Sequence, residues 1–450
     1  MKLTYDIHEK PTFGKNLVFA IQQLLAIIAA TLLVPTLVNG LNGGVLTMDP
    51  PAALFGAGVG TICYILITRF KSPVFLGSSF AFIMPLAGAC AYGYGGIIIG
   101  SLIAGLVYVI ISVVMKLVGT AWVNKLLPPV IIGPTVALIG LSLCGSAVNN
   151  MQNTNAGPDG YNLWFILTAL VTFIVTTLAS VKGSKMMKLI PFIIGIGSGY
   201  VFASILTLIG TLANVPSMQL VNYTALTTMD SIIHIPQFTI VEAIKEGFSG
   251  INGTSFVALL GLFAPVAFVV LAEHIGDHKN LSSIIDRDLI TDPGLDKTIM
   301  GDGVGSIVGA AVGGCPNTTY GECVGCVAIT GNASIYTICT TAILSILLSF
   351  FNPFVQFVNT IPVCVIGGIC IALYGFIAVS GLKMIQKVDL GTNRNLLVVA
   401  SILVPGIGGL TLNFGPITLT STATALIIGI IVNAILSIGE KKNAEAGENE

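Results

Sequence analysis

Charge is what this sequence lacks. Of its 450 residues only 9% are Asp, Glu, Lys or Arg, against about 25% in soluble domains. Too few polar groups remain to cover a water-facing surface, which excludes an ordinary soluble enzyme. Histidine is scarce too, with only His8, His234, His274 and His278. No H-E-x-x-H is present and no Ser–His pair stands at a convincing spacing, so nothing points to a membrane-embedded hydrolase. The net charge of −1 gives no reason to expect a nucleic-acid partner.

What is abundant is apolar sequence: 54% hydrophobic residues and a mean hydropathy of +0.94. The chain reads as an all-α polytopic membrane protein surrounded by the lipid bilayer. Its nine cysteines are scattered through apolar segments. Cys323 and Cys326 form a C-x-x-C near Cys315, but no second pair and no nearby His completes a metal set. They read as small packing residues. No metal and no cofactor is expected.

Apolar spans suggest themselves near 17–39, 51–69, 95–115, 128–148, 162–181, 189–212, 255–276, 336–351, 360–380, 394–411 and 418–438. The first is long enough to cross the roughly 30 Å hydrocarbon core, and the polar residues before it do not form a secretory signal. Three further stretches are awkward. Residues 73–90 are broken by Gly77, Ser78, Ser79 and Pro85, residues 301–315 are short and glycine-rich, and 321–333 follow the polar stretch PNTTYGE. Counting these gives 14 spans.

The basic residues test that count. Eighteen of the nineteen Lys and Arg fall on one side of a fourteen-span chain, and only Lys245 falls on the other. The positive-inside rule makes the charged side cytoplasmic, with both termini there. Residues 439–450 read as a disordered cytoplasmic tail.

Fourteen spans divide into a 7+7 inverted repeat, because an odd-numbered half makes the second half start on the opposite face. The first repeat covers 1–212 and the second 240–438. Each half carries its interrupted segment in its third span, giving short extended stretches in spans 3 and 10. Paired broken spans point to a transporter binding site near the bilayer midplane. Non-helical backbone cannot face lipid, so Ser78–Phe80 and Asn317–Tyr320 should line a cavity before entering half-helices. The free N–H groups at the start of a half-helix suit a substrate carbonyl or anion.

Two acids lie clearly inside the spans, Glu273 and Glu322, with Asp277 and Asp302 at the borders. A buried, unpaired carboxylate is costly when charged, so each is a functional candidate and suits a proton carrier. The plainer alternatives are an interfacial acid for Glu273 and a helix-capping acid for Glu322. Glu273, Asp277 and Asn280 share one helix face. Phe80 and Tyr320 hold matching places in the two broken segments, where aromatics either pack or clamp a flat ring.

Three stretches carry a family likeness: GSSFAFIMP (77–85), AEHIGD (272–277) and NTTYGE (317–322). With AATLLVP (29–35) and DPGL (292–295), they resemble the nucleobase–ascorbate transporter family, specifically its bacterial uracil permease branch, from about residue 10 to 438. The resemblance implies a core domain of spans 1–4 and 8–11 and a gate domain of spans 5–7 and 12–14, which also makes a homodimer contact. It implies proton-coupled uracil uptake by a symporter at the plasma membrane, with Na⁺ as another conceivable coupling ion.

Carried over residue by residue, the substrate contacts would be Glu273, Glu322, the backbone N–H groups of Phe80 and Gly321, Ala30 lining the site, and Tyr320 beside the ring. Proton coupling would fall to Glu273, Glu322 and Asp277. Two positions depart from the family pattern: Cys323 stands where Asn usually follows the span-10 acid, and Asp277 where the uracil branch often has His. The second leaves a xanthine or purine permease as the alternative. An anion carrier of the same architecture is a further one, against which the two acids argue.

Overall fold

The computed structural model describes residues 3–152 and 162–447. Helices dominate. The first part runs α1 (Phe13–Leu41), α2 (Pro50–Ile67), strand β1 (Leu76–Ser78), a 3₁₀ turn at Phe80–Phe82, then α3 (Ile83–Ala89) and α4 (Gly93–Val118). Short α5 (Ala121–Leu126) leads to α6 (Pro129–Ser142), α7 (Cys144–Gln152), α8 (Leu163–Lys182), α9 (Lys185–Leu189) and α10 (Pro191–Leu212). Two short helices, α11 (Thr224–Thr227) and α12 (Thr239–Glu246), follow.

The same order then recurs: α13 (Gly253–Ile285), α14 (Leu295–Gly313), β2 (Asn317–Thr319), α15 (Gly321–Thr330) and α16 (Ile335–Ser349). Short α17 (Asn352–Asn359) leads to α18 (Val363–Ile385), α19 (Asn393–Ile407) and α20 (Ser421–Gly447). A hairpin that the sequence reading did not anticipate, β3 (Leu412–Phe414) with β4 (Ile417–Leu419), sits before α20. The backbone of α20 stays helical to Gly447, into the stretch read as a disordered tail; 448–450 lie outside the described residues.

Among the described residues nine helical segments are long and apolar enough to cross a membrane, and three shorter apolar helices accompany them. Large side chains such as Leu117, Leu212 and Val404 stand on the outside, which in this composition is a lipid-facing surface. The chain is a multi-pass membrane protein.

Helix packing falls into two groups. In one, α14 lies between α2 and α4, with α1, α13, α15 and α16 around them. In the other, α18 packs on α6, α7 and α8, while α10 rests on α8 and α19 on α6 and α20. The first group owes its tightness to glycine. Gly301, Gly305, Gly309 and Gly313 recur every fourth residue along α14, so they form one stripe.

A Cβ on Gly56 of α2 would lie 2.4 Å from the carbonyl oxygen of Gly309, and one on Gly60 would lie 2.8 Å from that of Gly305. The backbones touch there. On the other side of α14, a Cβ on Gly105 of α4 would come 2.7 Å from the Gly303 oxygen. This seam also receives Asn317, whose Nδ2 donates to the Gly56 carbonyl at 2.8 Å and lies 2.0 Å from the position of a Cβ on Gly309.

A side chain at position 309 therefore displaces Asn317 as well as parting two helices. Gly309→Val is expected to lower stability by about 1–3 kcal/mol or more. The measurement is thermal unfolding in detergent, and an unchanged melting temperature would contradict the seam.

Candidate functional site

Pro73 and Pro316 each precede an extended stretch, and proline removes a helical N–H donor. The two stretches, read as cavity walls, find each other. β1 pairs antiparallel with β2 in the register Leu76 to Thr319, Gly77 to Thr318 and Ser78 to Asn317. The ladder is lengthened at both ends, as Ser79 N donates to Pro316 O at 3.1 Å and Tyr320 N to Phe75 O at 3.3 Å.

The outer edges of this two-stranded sheet are also satisfied. Leu76 N donates to Thr61 Oγ1 at 2.9 Å. Ser306 Oγ donates to the Asn317 carbonyl. Phe75 N donates to Cys323 Sγ at 3.3 Å, and the thiol faces the Pro73 carbonyl at 3.9 Å. Cys323, the departure from the family pattern, thus fastens α15 to the chain entering β1. Backbone that would be intolerable in hydrocarbon is paired almost atom by atom.

Tyr320 closes the pair from above. Its hydroxyl donates to Ser78 O at 2.9 Å, and its ring lies so close that a Cβ on Gly77 would be 2.2 Å away. Glycine at 77 is required by that approach. Past the strands, the chain turns helical at Phe80 on one side and at Gly321 on the other. Each begins its helical segment, so its N–H has no acceptor within that segment. α15 then ends at Gly331, left-handed at φ 69°.

The acids gather toward the start of α15. Glu322 is the second residue of α15, and Glu273 and Asp277 stand one turn apart on α13, which packs against β2 and α15. All three are half-buried, as is Gly321. Asp277 Oδ2 accepts from Thr319 Oγ1 at 3.4 Å, and its Oδ1 lies 3.8 Å from the position of a Cβ on Gly321. A Cβ on Gly325, one turn beyond Gly321, would meet nothing within 4 Å, so this side of α15 faces open space. Asn280, further along α13, is exposed.

Ala30 is buried on α1, the helix that packs on β1, α3 and α15. Phe80 is nearly buried and meets Tyr374 of α18 edge-on, with ring centroids 6.0 Å apart. Tyr374 was not singled out from the sequence; a lone tyrosine in an apolar span gives no signal.

Asp302 was read as a border residue, yet it is buried in the body of α14. Its Oδ2 lies 2.7 Å from His274 Nδ1, and His274 Nε2 lies 3.0 Å from Thr298 Oγ1. The His278 ring stacks on His274 at 4.0 Å. His278 Nδ1 faces the His274 carbonyl at 2.9 Å and so carries the hydrogen; Nε2 then accepts from Tyr64 OH at 2.8 Å, and Tyr64 accepts from Ser72. This chain of buried polar groups stitches α13 to α2 and α14. A surface cleft of about 330 Å³ bounded by His8, Lys71, Arg287 and Asp292 is separate from the acids; Lys71 is paired with Asp292 and Arg287 with Asp6.

Two interrupted stretches, joined by their strands, with half-buried acids gathered toward the start of α15, define a membrane carrier rather than an enzyme. A model of the permease family matches residues 14–415. The uracil permease of Bacillus caldolyticus is 39% identical over 97% of this chain and 95% of its own length. Those of Bacillus subtilis (strain 168) and Escherichia coli (strain K12) are 35% and 32% identical, over 99% and 96% of this chain and 98% and 94% of theirs.

The fold is similar to that of SLC26A9, with TM-score 0.63 and 10% identity, covering 96% of this chain and 66% of that one. It is also similar to the transmembrane domain of the cyanobacterial bicarbonate transporter BicA, with TM-score 0.56 and 13% identity, covering 95% and 100%. The chain belongs to the nucleobase–ascorbate transporter family of permeases.

Tyr320→Phe keeps the ring over Gly77 but leaves the buried Ser78 carbonyl without its side-chain donor. The expected cost is about 1–3 kcal/mol, read as a lower melting temperature of the purified protein.

Proposed function

We propose that this permease takes up uracil across the plasma membrane as a proton symporter. The observation that carries the reading is the pairing of the two strands that lead to the helix starts at Phe80 and Gly321, with Glu322 in the first turn of α15 and Glu273 on α13, the helix that packs against both. Uracil is flat and neutral, with two N–H donors and two carbonyl acceptors along its edge. Carboxylates accept from N–H and helix starts donate to carbonyls, so this set complements the base, and polar pairing of that kind gives large discrimination. Full-length relatives named as uracil permeases support the same cargo. Glu273, Glu322, the N–H groups of Phe80 and Gly321, Tyr320 and Ala30 form the binding site in this reading.

The element order, which repeats after α12, supports fourteen spans in two inverted halves of seven. The near-complete segregation of Lys and Arg supports cytoplasmic termini. Helices α1–α4 and α13–α16 serve as the core that carries the site. Helices α6–α10 and α18–α20 serve as the gate, through which two copies pair.

A proton from outside neutralises the acid cluster, which titrates as a unit rather than residue by residue. Asp277 is part of that cluster. Uracil then binds, the core shifts against the gate, and both cargoes leave to the cytoplasm. The acids argue against an anionic cargo, and Glu322 and the NTTYGE stretch against a purine. The likeness to SLC26A9 and BicA is one of fold alone.

Glu322→Gln is expected to abolish uracil uptake, or cut it at least tenfold, while the protein still reaches the membrane. Normal uptake by that variant would sink the site. In cells, unlabelled uracil should compete better than xanthine for labelled uracil. Collapsing the pH gradient should remove accumulation, whereas accumulation that follows Na⁺ instead would reject proton coupling.

A further inference from the structure

Thr319 has no role in the binding set just described, yet its side chain holds Asp277, the acid of the neighbouring cluster that lies beside Gly321. It ends β2, two residues before Gly321, and is 2% exposed. A hydroxyl so buried is costly to leave without an acceptor, and its acceptor here is Asp277 Oδ2 at 3.4 Å. The other oxygen of the same carboxylate faces Gly321, 3.8 Å from where a Cβ would stand. Gly321 begins α15, so an anion is attracted to that spot both by the free N–H and by the helix dipole. Asp277 is therefore a built-in competitor for the donor that a substrate carbonyl needs, and nothing on Gly321 itself keeps it away.

We propose that Thr319 is a positioning residue: by holding Asp277 through its second oxygen, it keeps the carboxylate off the start of α15 and leaves the Gly321 N–H open to the substrate. The inference rests on the uracil-site reading above. It explains why a threonine, rather than a valine of similar shape, stands at a buried place between a strand and a half-helix. It also gives this chain's Asp277 a local partner of its own.

The test is uracil binding to the purified full-length protein. Thr319→Val is expected to weaken binding about tenfold, and Thr319→Ser, which keeps the hydroxyl, to restore it to within about twofold. In an Asp277→Asn background, where no anion competes, Thr319→Val should have no further effect. Unchanged binding by Thr319→Val overturns the proposal. So does an equal loss in both backgrounds, which marks a merely structural threonine. Loss of all binding in Asp277→Asn alone overturns it as well, since a group that must be held aside is not one the substrate needs. Glu322→Gln run in parallel separates the two readings: if it binds uracil normally, the site itself is misplaced, whatever Thr319 does.

Discussion

A peptide group inside hydrocarbon must have a hydrogen-bond partner, and the site of this permease follows from how that demand is met. Two stretches of this membrane protein leave the helical form, at β1 and β2. Their N–H and C=O groups are taken up by each other across β1 and β2, and at the edges by Thr61, Ser306 and Cys323. Where the helices begin again, at Phe80 and Gly321, the first N–H groups have no acceptor within their own helical segments. The strand pair therefore disposes of the unwanted polarity and leaves the wanted polarity aimed at one place. The glycine seam between α2 and α14 is the counterpart of this arrangement in packing. It brings two backbones into contact so that Asn317 can reach Gly56 and lock the register.

The acids then acquire their meaning from position. Glu322 is in the first turn of α15, where a carboxylate is favoured by the dipole, and Asp277 and Glu273 approach the same helix start from α13. A cap and a ligand at this helix start would draw on the same backbone donors. Whichever group occupies them excludes the others.

Much of this was legible in the sequence. Proline, glycine and serine in runs that otherwise read as spans marked the broken segments, and the lone acids in apolar surroundings marked Glu273 and Glu322. The i, i+4 spacing placed Asp277 beside Glu273. What was not legible is what depends on contact between distant stretches. Nothing local says that Ser78 and Tyr320, 242 residues apart, share a hydrogen bond. Asp302 looked like a border residue because it stands at the edge of the glycine-rich stretch 301–315; the helix in fact begins at Leu295, and the packing of α14 between α2 and α4 makes Asp302 interior. Cys323 read as a departure from a pattern, whereas its thiol turns out to hold the Phe75 amide.

The strand pair also imposes an order on synthesis. Ser78 leaves the ribosome 242 residues before Tyr320. At common rates of elongation that is a wait of roughly ten to fifty seconds. Throughout it the nascent chain carries an open strand edge, although Thr61, the partner of Leu76 N, has already been made. The first half of this permease is thus an unfinished object while it is being inserted. Its own third span is completed only when the second half supplies the missing edge.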